Sequence, residues 1–115
     1  MKEIDLIYHN QFGVAFRWKS GIAKDSNKVQ LVFRDTGMLL TKRELIYFSE
    51  CIKGVDRDQY FCEQCSQQES CRTLLLNTPA PQITLALNAK ELMGIEDLVT
   101  GSLFQLNLND FIKGI

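Results

Sequence analysis

Cys62, Cys65 and Cys71 fall within ten residues and are the densest concentration of reactive side chains in the chain. The Cys62-x-x-Cys65 spacing lets two thiolates grip one ion from a single turn, and Cys71 follows closely enough to add a third. Cys51 and His9, the one histidine, are the candidates for a fourth ligand. Four donors of this kind close a tetrahedron around zinc, with binding coupled to ordering of the loop. Four thiolates can also hold an iron-sulfur cluster, but no redox partner for one is evident, which favours zinc.

Two other chemistries fit the cluster less well. The C-x2-C-x5-C run resembles part of the auxiliary-cluster motif in the cysteine-rich tails of radical-SAM maturation enzymes. Leu75 stands where that motif has its fourth cysteine, and no other part of those enzymes is present, so their chemistry is not implied. Thioredoxin-like catalysis, the third option, places a C-x-x-C pair at a helix N-terminus after a strand, where dipole and amides lower the nucleophile's pKa. Here no apolar strand directly precedes Cys62, and Asp58, Glu63 and Glu69 add negative potential that raises a thiolate pKa. The plain alternative is a set of reduced thiols, with Cys51, three residues after Phe48, acting as a small hydrophobe on a helix.

No Gly-rich phosphate loop, nucleophile elbow or metalloprotease helix motif occurs. His9, followed by Asn10, Gln11 and Phe12, has no identifiable catalytic partner. Thirteen basic against fourteen acidic residues give a net charge of -1 and exclude a uniformly basic, phosphate-gripping surface. The charge is uneven: residues 1–57 carry ten basic and seven acidic side chains, residues 58–115 three and seven. Arg17, Lys19, Lys28 and Arg34 are expected on one outer hairpin face, an ordinary solubility device. Phe16 and Trp18 take the opposite parity, toward the core, which argues against base stacking and nucleic-acid binding. The paired carboxylates Glu96-Asp97 and Asp56/Asp58 read as solvated.

These groups need a scaffold, and the apolar periodicity supplies one. Val14, Phe16 and Trp18, then Val29, Leu31 and Phe33, alternate with polar positions as half-buried strands do, and Ser20 to Asn27 is rich in turn formers. An antiparallel hairpin with an aromatic inner face follows, with Ile4, Leu6 and Tyr8 as an edge strand. Met38 to Leu40 forms a short strand, and Thr41-Lys42-Arg43-Glu44 a capping box for a helix with Leu45, Phe48 and Ile52 on one face and Gly54 as its stop. Leu87 to Leu92 and Leu106 to Phe111 repeat this strand-cap-carboxylate signature, so three strand-to-helix junctions are expected, with local capping chemistry as the plain reading and an internal strand-helix duplication as the alternative. Leu74 to Leu76 and Ile83 to Leu87 flank a turn holding Pro79 and Pro81, the only prolines. Leu92, Ile95, Leu98 and Val99 mark a second helix ending before Gly101. Leu103 to Leu106 reads as a strand and Phe111 to Ile115 as a short terminal helix.

The expectation is one α+β domain over residues 1–115, with six or seven short, mainly antiparallel strands in a sheet and two principal helices on one face. At 115 residues, with 45% hydrophobic composition, it folds without needing a metal. No apolar run approaches membrane-spanning length and no secretory signal opens the chain, so no membrane is involved and a cytoplasmic location is expected.

Val29 to Phe33 with Gly37 to Thr41, and Cys71 to Pro79 with Gly101 to Leu106, resemble a domain-of-unknown-function family of small uncharacterised Bacteroidota proteins, over most of the chain. The resemblance implies a small bacterial cytosolic protein and transfers no catalytic residue. The leading functional expectation is a non-enzymatic module that binds a protein partner through the cysteine loop or an exposed sheet edge, homodimerisation by strand pairing included. A metal-binding protein is the second expectation and a thiol oxidoreductase the third.

Overall fold

Alternation over Val14 to Trp18 and Val29 to Phe33 sends successive side chains to opposite faces, and both runs are strands. The computed structural model of the chain describes residues 4–19, 27–56 and 74–113. Its elements run β1 (Ile4–His9), β2 (Gly13–Trp18), β3 (Val29–Phe33), β4 (Thr36–Leu40), α1 (Lys42–Lys53), β5 (Leu74–Asn77), β6 (Thr84–Leu87) and α2 (Ala89–Lys113).

Strands β1 to β4 form an antiparallel meander in sequence order, whereas β5 and β6, among the described residues, pair only with each other. The single sheet expected from the sequence is therefore two sheets of four and two strands. Sequence pattern fixes which neighbours pair through short turns; it does not say whether distant hairpins join.

Both helices begin as the sequence dictates. The Thr41 hydroxyl accepts from the Glu44 amide at 3.1 Å while the Glu44 carboxylate accepts from the Thr41 amide at 2.9 Å. Asn88 and Glu91 repeat the exchange at 2.7 and 3.0 Å at the start of α2. Each cap satisfies amides that have no partner inside the helix and contributes about 1 kcal/mol. Thus β3–β4–α1 and β5–β6–α2 have the same form, a hairpin running through a capping box into a helix.

Leu45, Phe48 and Ile52 of α1 meet Leu92, Ile95, Leu98, Val99 and Leu106 of α2 in one core, which Ala15, Val29, Leu31, Phe33, Leu40, Leu74, Leu76 and Leu87 complete. Full burial of such side chains contributes about 1.5–3 kcal/mol apiece. Two ion pairs tie the units together. Arg34, in the β3–β4 turn with φ of 54°, pairs with Glu91, and Lys42 at the start of α1 meets Asp110 near the end of α2 at 2.8 Å.

Two local expectations change. Leu103 to Leu106 is helix, not strand, and among the described residues there is no separate terminal helix, because α2 runs unbroken from Ala89 to Lys113. Ser102 and Leu106 continue the buried stripe of Ile95, Leu98 and Val99 at helical spacing, and that periodicity prevails over the short apolar run. The third junction, at Leu106 to Phe111, consequently lies inside a helix and caps nothing.

The second change concerns parity. Ala15 pairs with Leu31 on the face that meets the helices, so Phe16 and Trp18 point to the other face of the sheet. Phe16 is still buried, with its ring edge-to-face against Trp18 at 5.2 Å. Arg17 takes the parity of Ala15 and Val29, and Lys28 that of Trp18 and Gln30. Arg17 and Lys28 therefore lie on opposite faces, and the single basic face expected from Arg17, Lys19, Lys28 and Arg34 does not form.

Glycine within α2 has a steric reason. A Cβ at Gly94 would stand 2.8 Å from Cβ and Cγ of Phe12, and one at Gly101 would overlap the Tyr8 ring. At Gly94 the clash is with the root of the Phe12 side chain, which cannot swing aside. We therefore expect Gly94→Ala to destabilise the protein by about 1–3 kcal/mol in urea unfolding, although alanine favours an exposed helix by about 1 kcal/mol. Adding Phe12→Ala should reverse part of the overpacking loss, seen as a favourable coupling in the double-mutant cycle.

Candidate functional site

The most elaborate polar arrangement among the described residues forms where the β1–β2 turn lies on α2. A bulge between Leu6 and Tyr8 inserts one residue, so that Leu6 pairs with Phe16 and Tyr8 with Ala15. An extra residue in one strand reverses the facing of everything beyond it. Tyr8 is thereby turned toward the helices, and its hydroxyl donates to Asp97 Oδ2 at 2.8 Å.

Asn10 completes the cluster with both ends of its amide. Nδ2 donates to Asp97 Oδ2 at 2.8 Å and to the Gly94 carbonyl at 3.0 Å. Oδ1 accepts from the amides of Phe12 and Gly13 at 2.8 and 2.9 Å. An amide side chain has two donor hydrogens and two acceptor lone pairs, so Asn10 is saturated by the turn and the helix. Phe12, placed by this turn, stacks on Phe33 with ring centroids 5.5 Å apart.

The electrostatics suit a clasp better than a proton-transfer site. The hydrogen bond to Asp97 holds the Tyr8 phenol above the ordinary tyrosine value, with desolvation and the carboxylate charge acting in the same direction. A tyrosine serving as base or nucleophile needs the opposite shift. At the far end of α2, the Lys42 ammonium beside Asp110 holds that carboxyl below the usual range. The Asp110 contribution is present at neutral pH and is lost as pH falls through its lowered pKa.

Beside the clasp lies an open groove of about 590 Å³, lined by Asn10, Gln11, Phe12, Lys90, Met93, Gly94 and Asp97. From its rim an apolar ridge runs along α2. Met93, Phe104 and Phe111 are 65%, 64% and 68% exposed, with Leu108 and Ile112 beside them at 40% and 58%. At 3.6 residues per turn the first three fall within about 20° of one another. The buried stripe of α2 ends at Leu106, whereas large apolar residues continue to Ile112.

Of the candidates in the sequence, Cys51 lies half-buried in the last turns of α1, packed against the core as a free thiol. His9 is the exposed last residue of β1, opposite Val14. Cys62, Cys65 and Cys71 lie outside the described residues. No group of three metal-ligating side chains forms among the described residues. The sequence reading missed Tyr8, Asn10 and Asp97 as a unit, because the bulge that joins them leaves no mark in a two-residue period. The ridge escapes it because Leu103 to Leu106 reads as a strand in the sequence, although 104, 108, 111 and 112 do carry helical spacing. No described helix is long and apolar enough to cross a membrane.

The chain belongs to the Family of unknown function (DUF6686), whose model matches residues 3–113. No curated protein and no solved structure matches it.

If the Asp97 hydrogen bond sets the Tyr8 titration, Asp97→Asn returns the Tyr8 phenol toward the ordinary tyrosine value. Ring-carbon NMR, which separates Tyr8 from the other tyrosines, would read the change. A group with a raised folded-state pKa stabilises below its unfolded value and loses that contribution as pH rises through the folded one. Wild type should thus lose stability relative to Tyr8→Phe on the alkaline side of the ordinary tyrosine range, and not at neutral pH.

Proposed function

We propose that this member of a family of unknown function is a non-enzymatic binding module for another polypeptide, which it takes up as an apolar helical face laid along α2. The observation that carries the reading is the ridge of Phe104, Leu108, Phe111 and Ile112, exposed on a different side of α2 from its buried stripe and continuing past the end of that stripe at Leu106. Contiguous apolar patches of a few hundred Å² on a protein surface mark interaction sites more often than chance, and aromatic side chains dominate the energetics of such contacts. The clasp supports the same reading from the other side, since its polar groups are occupied in seating the hairpin.

A photo-reactive phenylalanine analogue at position 104, introduced in the native host, should give an adduct of one discrete mass on irradiation. The same analogue at Glu50, on the exposed side of α1, should give none. No adduct from position 104, or equal labelling from both positions, would overturn the reading.

A second reading rests on the position of Cys51. Its free thiol stands in the helix that leads toward Cys62, Cys65 and Cys71, so one helix end and one short stretch of chain carry four potential thiolates. Cys62, Cys65, Cys71 and Cys51 bound together would suit zinc in a closed tetrahedral site, with His9 as the alternative fourth ligand. Protein purified without tag or chelator is then expected to hold about one zinc per chain and to lose it in Cys65→Ser, with proton release on binding. Absence of metal together with four reactive thiols on the denatured chain would remove this reading.

A further inference from the structure

The ridge and the groove lie on the same side of α2. Met93 and Phe111 are eighteen residues apart, five full turns or about 27 Å along the helix, and both are exposed. The groove opens beside Met93, where Gly94 contributes no side chain and Phe12 forms the wall. One surface thus carries a protruding ring at one end and a hollow at the other, which is what a two-fold contact between identical chains requires, since each copy must offer both halves of the fit.

We propose that the partner is a second copy of this chain, packed antiparallel along α2, with Phe111 of each copy entering the Phe12–Met93–Gly94 groove of the other. This inference rests on the ridge being a docking surface. A two-fold axis on the exposed side of α2, at the level of residue 102 along the helix, sets Phe111 opposite the partner's Met93 and Phe104 opposite the partner's Thr100, with the small side chain of Thr100 leaving room for the ring. The groove, at about 590 Å³, has ample space for a phenyl ring.

The area is adequate. Met93, Phe104, Leu108, Phe111 and Ile112 leave roughly 500 Å² of apolar surface open per copy. Two copies together reach about 1,000 Å², the lower bound for a specific interface. The contact differs from strand-edge pairing, which would leave all five side chains exposed.

Light scattering coupled to size exclusion, run on the full chain from roughly 1 µM to 1 mM, tests the proposal. The expected mass rises from 13.2 kDa toward twice that value. Phe111→Lys, placed beyond the last buried residue of α2, should keep the wild-type circular dichroism and weaken the dimer by about 30-fold or more, as loss of an aromatic anchor seated in a pocket does. Leu39→Lys, at an exposed position of β4, should leave the dimer unchanged. A benzophenone analogue at position 111 should crosslink to residues 89–97 of the partner subunit. A monomer throughout the range, a dimer indifferent to Phe111→Lys, or crosslinks mapping elsewhere would each overturn the second copy as partner. A monomer whose position 104 still yields a discrete adduct with a different protein would overturn this inference alone and leave the binding-module reading standing, whereas loss of both would end both.

Discussion

Close approach of two aromatic rings to the backbone of α2 is the contact on which the rest of the arrangement depends. Tyr8 and Phe12 lie over Gly101 and Gly94, positions seven residues and about two turns apart on one helix face. Because nothing but glycine admits the rings, the β1–β2 hairpin has one place to sit. Asn10 and Asp97 then fix it with directional bonds. The location of the sheet decides in turn which strip of α2 faces the core, which strip faces the hairpin and which is left outside.

The remaining couplings reinforce that geometry from the far side. Glu91 serves its own helix cap through Asn88 and also holds Arg34 in the β3–β4 turn. Arg34 adopts a left-handed backbone, which a residue with a Cβ enters at some cost. Pairing with a carboxylate that is itself half-sequestered offsets that cost. The first hairpin-helix unit is thereby locked to the start of α2, while Lys42 reaches its end.

Sequence made the repeated parts legible and left the unrepeated ones dark. Thr41 with Glu44 and Asn88 with Glu91 were readable because a capping box is a local exchange between residues three apart. Leu45, Phe48 and Ile52 were readable because one face of one helix carries them. The parity of β2 was not: with Phe16 and Trp18 large and Ala15 small, size pointed to the wrong face, and only pairing with Leu31 reveals that Ala15 is the residue under the helices. Nor was the end of α2. Gly101 has the form of a helix stop, and its actual reason, the Tyr8 ring, lies more than ninety residues away in sequence. The cysteine spacing was the most visible chemical feature of the sequence, yet of its four residues only Cys51 stands among the described ones.

The length of α2 itself bears on what its ridge does. Helix propensity alone gives a marginal helix in water, and most helical stability in proteins comes from burying an apolar face. Ordering each residue costs about 1–2 kcal/mol of backbone entropy. Beyond Leu106 every described side chain of α2 is exposed, and the tie at Asp110 is a surface ion pair, a class of contact that contributes little. The sequence over those turns nevertheless places Leu108, Phe111 and Ile112 at helical spacing, continuing the line of Phe104, where polar residues would serve solubility better. A helix extended past its own core, with its apolar residues kept to one strip, is accounted for when that strip is covered by something outside the chain.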